Sequence, residues 1–139
     1  MVDSTTSNDV MLRFDSPTSK FAVVLEDDGR VAYAYLLEDD DIVADVWLYN
    51  VEAPPNDVDW KDRAAMPFLN PKRFCRQDRH PRLTMSSVVS CTWWEQGVVV
   101  TIDGVLMAKL ERGIRPGWSR LAARRGPLAQ PLELEDESS

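Results

Sequence analysis

One histidine, two cysteines and six glycines in 139 residues leave little for several familiar kinds of chemistry. The single imidazole, His80, sits between Arg79 and Pro81, and no serine occupies a Gly-x-Ser-x-Gly elbow, so a nucleophile and its base have no local template. Cys75 and Cys91 form no Cys-x-x-Cys unit and, even with His80, lack the closely spaced ligand pairs on which zinc sites are built. Two thiols are also too few for a disulfide framework, and a reducing compartment keeps them as small side chains. The glycines match neither the P-loop nor the Rossmann spacing, so no loop presents consecutive backbone donors to a phosphate. Asp39, Asp40 and Asp41 are adjacent and lack the alternating spacing that converges on calcium. No catalytic residue, cofactor or metal is expected. Carboxylates such as Glu26, Glu38, Asp45 and Glu95 are too numerous for any one pair to point to hydrolysis.

Long apolar runs are missing as well. Residues 21–25 and 98–100 are far shorter than the roughly 20 residues a membrane-spanning helix requires. The first nine residues carry Asp3 and Asp9 without a basic group or an apolar stretch, which does not read as a targeting signal, and the expected compartment is the cytosol.

What the chain does have is acid, aromatic and β-branched residues. The net charge of −7 opposes adherence to nucleic acid or an anionic membrane. Its distribution is uneven: residues 1–59 hold 14 acidic and 3 basic side chains, a balance of −11, whereas 60–127 stand at +8 and 128–139 at −4. Two halves of one domain packed together would neutralise much of this. The length suits one domain with one core, and 44% apolar with 28% charged residues is ordinary for a globular chain.

The pattern predicts a mainly β fold. Residues 1–19 read as a loose arm with an apolar cluster at 10–14 that suits one edge strand. Runs 21–26 and 31–38 flank Asp28-Gly29, a type I′ turn candidate, which places Phe21, Val23 and Leu25 on one face with Ala32, Ala34 and Leu36. A third strand over 42–50 has apolar groups on both faces, so its register stays open. Residues 52–82 form a long proline-rich connection, with a short helix expected near 71–77 behind Asn70. Taking Gln96-Gly97 and Asp103-Gly104 as turns, Val89, Cys91 and Trp93 line up with Val100 and Ile102, then with Val105 and Met107. Residues 118–125 have helical composition before Gly126-Pro127, and 128–139 read as an acidic disordered tail. The expected domain, 20–127, is two antiparallel three-stranded meanders stacked as a sandwich or a small barrel, with one or two short helices.

Function is less constrained. The basic cluster Lys72, Arg73, Arg76, Arg79 and Arg82 around Phe74 has the composition of a single-strand binder, but a pI near 4.7 weighs against that role. Five tryptophans are many for this length, and Trp93 and Trp94 must face opposite ways. Aromatic and arginine side chains dominate interface hot spots, so the candidate partner-binding set is Trp47, Tyr49, Trp60, Arg76, Arg79, His80, Arg82 and Trp94. The reading that follows is a non-catalytic protein-binding domain, able to neutralise a basic partner. The alternative is a small-molecule-binding barrel, or an enzyme, with a pocket between the meanders. Asp-Gly hairpins and the Pro-Gly-Trp loop are general punctuation and point to no family.

Overall fold

The computed structural model describes residues 9–52 and 69–132. Among the described residues, nine strands form two sheets. The first, in the order β1 (Val10–Asp15), β2 (Phe21–Asp27), β3 (Val31–Glu38) and β4 (Asp41–Asn50), is an antiparallel meander. The second runs β5 (Val89–Trp94), β6 (Gly97–Ile102), β7 (Val105–Glu111), β8 (Trp118–Ser119) and β9 (Gln130–Pro131), antiparallel except for the short parallel pair β8 and β9. The mainly β architecture of two stacked meanders therefore stands, with each sheet larger than three strands and no closed barrel among the described residues.

Alternation explains the faces. Val23, Leu25, Ala34, Leu36 and Val46 from the first sheet meet Val98, Val100, Ile102, Met107 and Leu110 from the second, all fully buried in one core. The space between the sheets is thus filled by side chains. Val10, Leu12 and Phe14 extend the same face onto β1, so residues 10–15 of the expected loose arm form an edge strand.

Two of the predicted turns lie elsewhere, yet the faces are as expected. Asp27 pairs with Ala32 rather than Arg30, because only Gly29 of the Asp28-Gly29 pair has positive φ. The Asp28 carboxylate instead accepts from the amides of Arg30 and Val31 and widens the loop. Likewise Trp94 pairs with Gly97, so the turn is Glu95-Gln96, and Gly97 begins β6. A Cβ at Gly97 would overlap the carbonyl of Leu110, which explains why glycine is needed inside the strand. Both slips are two residues, which leaves each side chain on its original face. Asp103-Gly104 is a true two-residue turn with both residues at positive φ.

Three extra residues break the registers: Val43 and Leu48 in β4, and Met107 in β7. Each offers its carbonyl to the same returning segment. Gly113 N–H donates to Val43, the Ser119 hydroxyl to Leu48, and Arg120 N–H to Met107. The bulge at Met107 also turns Ala108 and Leu110 inward, against the expectation that they share the outer face with Leu106.

The expected helices are largely absent. Over 71–77 only Lys72–Phe74 forms a 3-10 turn, the single helical turn among the described residues, and Asn70 does not cap it. Cys75 is extended and bridges Ala122, which diverts the chain into a sheet-like contact. At 118–125, Lys109 and Ala108 of β7 recruit Trp118 and Ser119 as a strand, so edge pairing overrides helical propensity. Residues 128–132, expected to belong to the tail, are tied into the fold. Leu128 O accepts from Trp47 N–H, Ala129 is buried, and Leu132 N–H donates to Ser119 O. No helix among the described residues is long and apolar enough to cross a membrane.

Candidate functional site

The pleat of β2 points Asp27 into the core, where its carboxylate is fully buried. It is satisfied by three donors: Gly29 N–H at 2.8 Å, the Tyr49 hydroxyl at 2.6 Å and Arg82 Nε at 3.1 Å. Tyr49 Oη in turn accepts from Leu83 N–H at 2.8 Å. One carboxylate thus ties the β2–β3 turn, β4 and the segment 80–83 together. Burial, then the hydrogen bond to Asp27, pushes the Tyr49 hydroxyl well above its usual range, so it stays a donor. Beside it the His80 ring lies 4.8 Å from the Tyr49 ring, while Nδ1 faces the carbonyl of Pro81 at 2.9 Å.

Asn50 organises the neighbouring side. Its Oδ1 accepts from Trp47 Nε1 and Asn70 N–H, and its Nδ2 donates to Asn70 O. Together Trp47, Tyr49, Asn50, Cys75, Arg76 and His80 line a recess of about 250 Å³. Four of the eight candidate partner residues therefore meet, with Arg82 anchored just behind them. Trp47 and Tyr49, however, are each 1% exposed, so neither can be a contact without opening the core. Burial pushes the Cys75 thiol up to about 11, which leaves it protonated and a poor nucleophile at neutral pH.

The remaining candidates are scattered. Arg79 is exposed, and Trp94 stands on the outer face of the second sheet beneath the Lys109 ammonium, 5.5 Å away, whereas Arg76, in the recess, lies 3.9 Å from Asp78. Trp93 packs on the core side of the same strand. Trp60 is outside the described residues. The basic groups of 72–76 and 120–125 come together, because Cys75 bridges Ala122 and Ala123 N–H donates to Phe74 O. Arg73 and Arg124 both lie over the Phe74 ring, at 5.5 and 5.9 Å.

Neither a family model, nor a curated protein, nor a solved structure matches this chain.

The second recess is a groove of about 400 Å³ on the outer face of the first sheet. Its floor is Tyr33 and Tyr35, two residues apart on β3, whose rings stack with centroids 6.1 Å apart and planes inclined by 16°. Pairing across the sheet brings acids to both ends: Glu26 stands opposite Tyr33, and Asp45 opposite Tyr35. Asp28 and Arg30 complete one wall, Pro127 and Leu128 the other. Burial, then the charges of Asp28 and Asp9, raise the Glu26 carboxyl above its usual range. Every one of these influences disfavours its ionised form. Tyr33 and Tyr35 are raised by burial first, then by the other tyrosine at Tyr33 and by Glu26 at Tyr35, with Asp45 and Asp28 adding to both.

Sequence reading did not select this group. The usable signal was the i, i+2 tyrosine pair on a strand whose neighbours carry acids at the facing positions, a pattern that needs the register of β4 to be recognised.

Proposed function

We propose that this chain is a non-catalytic binding domain that takes a basic segment of another protein across the first sheet. An arginine or lysine head group lies on Tyr33 and Tyr35, between Glu26 at one end and Asp45 at the other. The observation that carries this reading is the stacked tyrosine floor with carboxylates paired opposite each ring. Aromatic faces attract cations by their quadrupole, an effect worth about 0.5 to 2 kcal/mol depending on desolvation. The same groove holds acids that repel one another, so an incoming cation relieves a cost already present. Arg115 lies 3.5 Å from Asp45 and leaves Glu26 as the carboxylate most in need of a partner. The balance of −11 over residues 1–59 adds a long-range field that draws a basic partner in.

Calorimetric titration with an arginine-rich peptide tests the reading. Saturable binding is expected at low salt, weakening as salt rises. Replacing Glu26→Gln together with Tyr35→Ala should weaken it by about tenfold or more. Equal binding by that variant, or a poly-glutamate peptide bound as well as the basic one, would overturn it.

A further inference from the structure

The outer face of the second sheet carries a third recess, of about 580 Å³, with the opposite charge. Its apolar floor is Val99 of β6 and Leu106 of β7, which point away from the core. Trp118 and Leu132 form apolar walls, and Lys109 and Arg125 supply charge. The Lys109 ammonium is held between two indoles, 5.0 Å from the Trp118 ring and 5.5 Å from the Trp94 ring. Neither Lys109 nor Arg125 enters an ion pair among the described residues, although acids outnumber bases in this chain. Arg120, bonded to the carbonyl of Leu106, keeps a buried Nε with no acceptor among the described residues.

We infer that this recess is a binding site for a small amphipathic organic anion, a carboxylate with an acyl or aromatic body. The volume lies within the range of small-molecule sites, which pair a mostly apolar lining with a few polar groups that fix orientation. Val99, Leu106 and Trp118 cover the body, and the Lys109 ammonium meets the carboxylate at the rim. Stacking on Trp94 and Trp118 keeps that ammonium over the groove in the absence of ligand, so little side-chain freedom is lost on binding. Among the described residues, a cation of the same shape would meet two positive groups and no carboxylate in the lining. The site is distinct from the acidic groove on the first sheet and differs from it in charge, sheet and ligand class.

The test uses the full chain and the fluorescent probe 1-anilinonaphthalene-8-sulfonate. The probe is expected to bind saturably and to be displaced by decanoate but not by decyltrimethylammonium. Lys109→Gln and Arg125→Gln, made separately because both lie at the surface, should each weaken the probe severalfold and together by about tenfold or more. Far-ultraviolet circular dichroism and a cooperative melt establish that the variants are folded. Three results would overturn the inference. These are displacement by the cationic amphiphile as readily as by decanoate, unchanged affinity in the folded double variant, and displacement by an acidic peptide with none by decanoate.

Discussion

Asp27 shows how much one buried polar atom can organise. Its carboxylate lies wholly inside, and Tyr49 both donates to it and accepts from the backbone of Leu83. Tyr49→Phe would therefore strand an amide and remove one of three donors to a buried charge. The expected cost is about 1 to 3 kcal/mol, measured as a lower urea midpoint with an unchanged slope. At the surface the balance differs. Because the Glu26 carboxyl is raised in the folded chain, it holds its proton more tightly there than when unfolded, and its ionisation opposes folding. Its contribution is favourable at low pH and is lost as pH rises through the folded value, which lies above the ordinary glutamate range. Glu26→Gln should accordingly raise the melting temperature near pH 7 and leave it unchanged near pH 4. Melting curves of parent and variant at the two pH values check this. None of the sequence candidates marked these two positions, since a pleat that turns an aspartate inward is visible only once the strand pairing is known.

At the level of strands, alternation was legible and turns only in part. A register slip of two residues preserves every face, which is why Val89, Cys91 and Trp93 lie with Val100 although the turn is Glu95-Gln96. Gly97 belongs to the strand, where the Leu110 carbonyl approaches it. Gly97→Ala should cost about 2 kcal/mol or more through backbone displacement, whereas the same change at a free turn position would be milder. Equilibrium unfolding of the variant is the measurement. The bulges at Val43, Leu48 and Met107 were not legible, because each is held by a donor from the returning segment 113–120, which lies far along the chain from the two in β4 and beyond the next turn from the one in β7. The helix expected at 118–125 failed for a related reason. Its composition is helical, but β7 had an open edge, and pairing there satisfied the backbone of Trp118 and Ser119.

For the molecule as a whole, the uneven charge is partly cancelled between the two halves. Arg82 meets Asp27, Arg112 meets Glu38 at 2.9 Å, and Arg115 meets Asp45, each joining a base of the later half to an acid of the earlier. Among the described residues, uncancelled charge remains at the tyrosine-floored groove, at the tryptophan-walled recess of opposite sign, and in the basic group around Phe74. The sheets nonetheless share one core, and β4 is bonded to the segment that carries β8. Heating should give a single transition in which near- and far-ultraviolet signals coincide and calorimetric and van't Hoff enthalpies agree. Sequence composition led to the expectation of one domain with one core. It did not anticipate where the surface charge would collect, which depends on how the two sheets are stitched together.

That stitching makes residues 125–132 a party wall. Pro127 and Leu128 face the acidic side, while Arg125, Gln130 and Leu132 face the basic one, with main-chain ties to Trp47, Gly117 and Ser119 in between. A ligand that shifted this stretch from one side would alter affinity on the other, and thermodynamic reciprocity would then require the influence to run equally in both directions.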